Sequence, residues 1–275
     1  MALLLSALKD RYGYDFRDYA RASLKRRLME LKRYFQVEHL SDLIPSMLYD
    51  DAVAQTVINS ISVPTSEFFR DAQVWKLVRD RVLPQLNTFP RINIWQIGCG
   101  RGEETYTLAI LLHEAGLLKK TRIFTSDINP AFLQEARAGH WSARRMEGWR
   151  ESYRQSGGTG DFDSYFDSHL GNAGEEVAIR PELKHSIEYV QHNLVEDEVF
   201  KEVQFVVCRN VLIYFSDTLQ ERVLRLCSRS MERGGYLLLG RSERVLDADK
   251  QYPELEAVDG DFQLYRKMIA SEQHV

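Results

Sequence analysis

The chain has 275 residues, 44% hydrophobic and 28% charged, with a formal net charge of -4 at pH 7. That balance excludes a disordered chain and gives no bulk positive charge for nucleic-acid binding, while the length permits one large domain or two small ones. Cys99, Cys208 and Cys227 show no CxxC spacing, as reduced thiols of a cytoplasmic protein would, and the apolar residues 1–5 give way to Lys9, Asp10 and Arg11 too early for a signal peptide or membrane span.

Residues 1–60 lack strand alternation and read as helices. Leu24, Leu28, Leu31 and Phe35 recur at helical spacing and make one apolar face. Around them Arg17, Arg21, Lys25, Arg26, Arg27, Lys32 and Arg33 meet only Asp18 and Glu30, seven against two, a local excess of +5. A solvated helix face is the plain reading. The functional one is a docking face for an acidic, helical partner. Further helices are expected over 40–48 and 52–61, completing an all-α unit over residues 1–62. Pro64 disfavours helix at Val63, and Thr65 or Ser66 should cap a helix that begins near Glu67 and ends near Pro84. Residues 63–90 therefore read as linker and helix.

Ile92, Ile94, Trp95 and Ile97 form a short apolar strand, broken by Gly98, Gly100 and Gly102. Tyr106, Ala109, Ile110 and His113 then follow at helical spacing. A strand, a glycine turn and a helix N-terminus can hold a nucleotide-like ligand, because the backbone approaches closely and its N–H groups point at it. Glu103 stands where a dinucleotide fingerprint needs its third glycine. With Glu104 it argues against a phosphate and for a ligand with cationic and hydroxyl groups, such as S-adenosylmethionine. Asp127 ends the next strand, about 25 residues past the turn, where an acid can accept from ribose hydroxyls. As a bare capping residue it would be unremarkable.

Asn129 caps a helix over 131–138. Residues 140–182 interrupt the rhythm with a hairpin, Tyr165 and Phe166 pairing with residues 177–179 across a turn at 171–174. Strands at 187–190 and 205–208 end at Asn193-Leu194 and Arg209-Asn210-Val211. An asparagine there, donor and acceptor together, can read an adenine edge or hold a carbonyl. Tyr214, in an apolar strip, is core by default. Gly234-Gly235 should turn the chain into a strand at 236–240, with a last strand at 262–266. Strands alternating with helices predict a mostly parallel, doubly wound α/β sheet over 91–270, with ligands beyond the carboxyl ends of the strands.

Six blocks then occur in one order. They are Phe68-Phe69-Arg70-Asp71; Gly98-Cys99-Gly100-Arg101-Gly102-Glu103-Glu104-Thr105-Tyr106-Thr107; Ser126-Asp127-Ile128-Asn129; Asn193-Leu194; Cys208-Arg209-Asn210-Val211-Leu212-Ile213-Tyr214-Phe215; and Gly234-Gly235-Tyr236-Leu237-Leu238-Leu239-Gly240. Together they resemble the chemotaxis receptor glutamate methyltransferases of the CheR type. The resemblance implies a Rossmann-like class I methyltransferase domain with a small β-hairpin or three-strand insertion at about 140–182, preceded by the all-α domain. It implies a cytoplasmic, monomeric bacterial enzyme without a metal. Such an enzyme moves a methyl group from S-adenosylmethionine to receptor glutamates for sensory adaptation and leaves S-adenosylhomocysteine.

By the same resemblance Arg70 and Tyr214 stand beside the transferable methyl group. Ser66, Arg70, Gly98, Gly100, Glu103, Glu104, Asp127, Asn193, Leu194, Asn210 and Val211 carry over as cofactor contacts. Arg21, Lys25, Arg26 and Arg27 become docking residues for the cytoplasmic helical domain of methyl-accepting receptors, with no nucleic acid and no membrane insertion. The chain departs from the family at Pro64, where an asparagine is usual, at Ser66, which replaces a threonine, and in a more generic glycine loop. Residues 140–164 also exceed the family's need. The alternatives are a non-catalytic module that binds the cofactor and a small-molecule methyltransferase.

Overall fold

Four helices form the N-terminal part: α1 (Ala2–Tyr12), α2 (Arg21–Tyr34), α3 (Leu43–Tyr49) and α4 (Asp51–Ile61). They are seen in a computed structural model that describes residues 1–62, 66–169, 176–198, 201–245 and 252–268. Leu24, Leu28 and Leu31 project from one stripe of α2 into a core shared with Leu8, Met47, Val57 and Ile58. Gly13 ends α1 in the left-handed conformation (φ 78°), its N–H donating to the Lys9 carbonyl at 2.8 Å. Asp50 caps α4 by accepting from the Ala52 N–H at 2.8 Å.

The helix expected from Glu67 starts only at Ala72. Phe69 (φ 53°) and Asp71 (φ 58°) are both left-handed, which no helix can absorb, and Ser66 caps nothing. Pro64 and Thr65 lie outside the described residues. From Ala72 the chain runs as α5 (Ala72–Leu77), a π-helical turn (Val78–Val82) and α6 (Leu83–Leu86). The wider turn includes Asp80, whose carbonyl the ring of Pro84 would strike in a regular helix.

The α/β part follows as β1 (Ile92–Ile97), α7 (Glu103–Glu114), β2 (Thr121–Asp127), α8 (Pro130–Ala138), β3 (His140–Ser142), α9 (Met146–Gln155), β4 (Phe166–His169), β5 (Glu176–Ile179), β6 (Ile187–Gln191), β7 (Val203–Cys208), α10 (Asp217–Ser230), β8 (Met231–Leu239), β9 (Leu255–Asp259) and β10 (Leu264–Lys267). The main sheet has the order β6-β2-β1-β7-β8-β10-β9, parallel except for the pairs made by β10. Ile97 pairs with both Ser126 and Cys208, so β1, β2 and β7 end level at one edge. The inserted hairpin gains a third strand, β3, to make the sheet β3-β5-β4; its turn at 171–174 lies outside the described residues.

Gly234-Gly235 does not precede the strand but lies inside β8, which leaves α10 directly at Met231. The register shifts there between the pairs Val203↔Met231 and Phe205↔Tyr236. A Cβ on Gly235 would stand 2.9 Å from the Glu232 carbonyl oxygen and 3.0 Å from that of Gln204, so the bulge admits only glycine. The edge strand β9 carries no alternation to announce it, since only Leu255 of its residues is buried.

Phe68 joins the insertion to the sheet domain. Its buried ring meets Trp141 at 5.0 Å, Trp149 at 4.8 Å, Phe166 at 5.4 Å and Phe162 at 5.9 Å. Truncating it leaves a cavity in an aromatic cluster, so Phe68→Ala should cost about 3–5 kcal/mol of unfolding free energy in urea titrations. A loss under about 1 kcal/mol would mean that the cluster closes up and does not hold the insertion.

Candidate active site

Beyond the level ends of β1, β2 and β7 lies an open cleft. Gly98 and Gly100 line it from the turn after β1, and Asp127 from the end of β2. Asn193 and Leu194 follow β6; Asn210, Val211 and Tyr214 follow β7. Ser66 and Arg70 enter from the connection, and Tyr19, Ile61 and Ser62 come from the helical part.

The turn works as a cradle. Gly98 (φ 72°), Gly100 (φ 51°) and Gly102 (φ 94°) are all left-handed. A Cβ at Gly98 would stand 2.5 Å from Val211 Cγ2, so two ligand loops touch where only glycine fits. The Gly100 N–H donates to Asp127 Oδ2 at 3.1 Å, and the Asn129 N–H donates to Oδ1 at 3.0 Å. Burial pushes the Asp127 carboxyl up to about 6 against these stabilising donors. The carboxylate keeps lone pairs for a ligand hydroxyl.

Arg209 anchors the opposite wall. It is buried, donating through Nη1 to Glu104 at 2.7 Å and through Nη2 to Asp71 at 2.6 Å, with its guanidinium 5.1 Å from the Trp75 ring. Burial raises the Glu104 pKa and the Arg209 charge opposes that rise. Trp75 Nε1 donates to the Arg70 carbonyl at 2.9 Å, and the Phe69 N–H donates to Thr107 Oγ1 at 3.0 Å. Arg70 thus sits between two left-handed residues, each costing on the order of 1–3 kcal/mol, clamped from both sides.

Glu103, expected at the cofactor, is not among the residues lining the cleft. One residue along a helix rotates the side chain by about 100°, which turns Glu103 away while Glu104 faces in. The buried Glu103 carboxylate accepts from Arg145 Nη1 at 3.0 Å, and Arg145 Nη2 donates to the Ser66 carbonyl at 2.9 Å. Arg145 also lies 4.8 Å from the Trp149 ring, so the insertion steadies the Ser66 segment through this pair.

Tyr214 lines the cleft half-buried, between the core residues Leu212 and Phe215 and beside the exposed Ile213. Arg21, Lys25 and Arg26 are exposed on α2, away from the cleft; Arg27 is half-buried and pairs with Glu30 at 3.4 Å. Among the described residues no group of His, Cys, Asp and Glu is placed to hold a metal ion.

Sequence reasoning missed Glu243. Its buried carboxylate accepts from the Asn210 N–H at 2.8 Å, the Gly240 N–H at 2.6 Å and the Ile213 N–H at 3.2 Å. It thereby pins the left-handed Asn210 (φ 59°) and the segment leading to Tyr214. No spacing announces it, because all its partners are backbone groups and two of them lie 30 and 33 residues away. Tyr19 and Ile61 were missed for a similar reason: nothing local marks either, and both reach the cleft from the helical part.

The family model for the CheR methyltransferase, SAM binding domain, matches residues 64–259, and that for the CheR methyltransferase, all-alpha domain, matches residues 1–62. A Pseudomonas putida protein named Cher3 is 41% identical over 243 residues, 88% of each chain. A chemotaxis protein methyltransferase of Listeria innocua is 29% identical over 240 residues, 86% of each. Chemotaxis protein methyltransferase 1 of Pseudomonas aeruginosa is 26% identical over 245 residues, 85% of this chain and 86% of that one. The cofactor is S-adenosylmethionine. The glycine cradle and the acceptor Asp127 fit its ribose, and Glu104, although paired with Arg209, keeps a carboxylate at the cleft wall.

An ionised Asp127 can accept from a ribose hydroxyl; protonation removes that capacity. Affinity for S-adenosylhomocysteine should therefore fall as pH drops through about 6, by at most about tenfold per pH unit. His192, also in the cleft, has its pKa lowered by burial. Calorimetry between pH 7.5 and 5 checks this, and Asp127→Asn should flatten the profile. An unchanged slope in that variant would assign the titration to another group.

Proposed function

The chain belongs to the CheR methyltransferase family, and from that premise we propose that it methylates glutamate side chains of chemoreceptors, forming methyl esters. The observation that carries this reading is the clamped Arg70 in one cleft with Tyr214 and Asp127. A glutamate carboxylate is ionised at neutral pH and already nucleophilic, so no general base is required. S-adenosylmethionine supplies, when bound, an electrophilic methyl group and a neutral thioether product.

What remains for the protein is orientation and exclusion of water. Arg70 holds one carboxylate oxygen through its planar fork and leaves the other free to attack. Tyr214 shares that oxygen, so that the ion pair does not quench the nucleophile. Glu104, committed to Arg209, offers no competing partner for Arg70's substrate. Ser66, Gly98, Gly100, Asn193, Leu194, Asn210 and Val211 serve as cofactor contacts, and Glu243 keeps the last two in place.

Arg70→Ala should lower methyl transfer to receptor-bearing membranes by about 10²–10³-fold, the usual effect of removing one preorganised donor. Its affinity for S-adenosylhomocysteine should stay within a few-fold of the parent. Methyl groups released as methanol by alkali identify the ester. Loss of cofactor affinity with normal turnover of bound cofactor would refute the role given to Arg70.

The receptor partner is a helical cytoplasmic domain with acidic side chains, met by Arg21, Lys25 and Arg26 of α2. Arg27, tied to Glu30, contributes less. Truncating the helical part would open the cleft itself, so charge reversal is the cleaner test. Lys25→Glu with Arg26→Glu should raise the KM for receptor about tenfold, more steeply at low salt, and leave cofactor affinity unchanged. An unaltered KM would move the docking face elsewhere.

A further inference from the structure

Tyr19 belongs to the helical part, yet it lines the cleft. It lies in the segment between α1 and α2, which runs antiparallel to the loop after β7. Tyr19 forms a β-bridge with Phe215; the Ser216 N–H donates to the Asp18 carbonyl at 2.8 Å, and the Ala20 N–H donates to the Tyr214 carbonyl at 2.8 Å. The ring packs edge-on against Phe215 at 5.0 Å and against Phe16 at 5.1 Å. With backbone and ring both held, the direction of the phenol is fixed.

Among the described residues the Tyr19 hydroxyl makes no hydrogen bond to protein. Tyr19 is half-buried in the cleft wall, where a ligand can supply the partner that a tyrosine hydroxyl normally finds. Burial, with the nearby Asp127 charge, pushes its pKa well above the usual tyrosine range, so it stays a donor at any ordinary pH. A fixed donor near an acceptor carboxylate complements a vicinal diol, whose hydroxyls donate to one and accept from the other. A phosphate would meet the Asp127 charge and be repelled.

We infer that Tyr19 is a ribose-binding residue, so that the helical domain supplies part of the cofactor site as well as a docking face. The inference rests on the ribose role given to Asp127. It also explains the presence of Ile61 and Ser62 in the same wall, at the end of α4.

Calorimetry on the full-length chain with S-adenosylhomocysteine tests it. Tyr19→Phe keeps the ring against Phe16 and Phe215 and removes only the hydroxyl. Its dissociation constant should rise about three- to tenfold, the effect of one lost hydrogen bond, with an unchanged melting temperature. Tyr14→Phe, near Asp127 but outside the cleft lining, should change affinity less than about twofold. Against the 2′,3′-dideoxy analogue, Tyr19→Phe and the parent should bind alike. Equal binding of S-adenosylhomocysteine by Tyr19→Phe and the parent would overturn the inference, as would equal weakening toward the ligand and its dideoxy analogue. If Asp127→Asn binds both ligands as the parent does, the ribose role of Asp127 fails first and this inference with it.

Discussion

The buried Arg209 guanidinium is the constraint on which one wall of the cleft depends. It comes from the end of β7 and joins Glu104 at the start of α7 to Asp71 before α5, over the face of Trp75. A buried charge is tolerable only when paired, and removing one partner typically costs about 3–5 kcal/mol. The two carboxylates therefore cannot drift apart without leaving Arg209 uncompensated. Asp71 adopts a left-handed backbone to reach it, and Arg70 is thereby presented to the cleft. A charged triad on three separate elements decides where one half-buried guanidinium points.

Other fixed groups act in the same way at the edges of the cleft. Arg145 ties the insertion to both Ser66 and Glu103, and Glu243 holds the loop of Asn210 and Tyr214 to Gly240 by accepting from two backbone donors of that loop and one of Gly240. The helical part meets that loop through main-chain bonds on either side of Tyr19. Helical part and sheet both line one cavity, and the insertion braces its Ser66 edge from outside, so the site is complete only when the helical part and sheet are docked. Binding at the exposed face of α2 and binding in the cleft then act on neighbouring segments, since Ala20, next to α2, is bonded to Tyr214.

Local signals carried much of the architecture. The 3.6-residue spacing of Leu24, Leu28 and Leu31, the glycine turn after Ile97 and the apolar run before Cys208 each report a backbone preference that needs no distant partner. They marked the helical part, the parallel sheet and the ligand edge. The helix start near Glu67 and the turn at Gly234-Gly235 were misread because tertiary pairing overrode local preference. Arg209 forced Asp71 out of the helical region, and the register of β7 with β8 placed the glycines inside a strand.

The sequence by itself determined the kind of site: an acid after the second strand and glycines after the first, with an arginine beside two phenylalanines. Which carboxylate turned inward, which distant glutamate held the loop and which tyrosine crossed from the other domain were decided only by the tertiary structure. Glu103 and Glu104 are adjacent and chemically alike, and helix rotation alone sends one to Arg145 and the other to Arg209. Glu243 and Tyr19 act on partners far away in the chain, through backbone bonds and ring packing that leave no periodic trace. Such contacts belong to the packing of elements, and they come into being only when the elements meet.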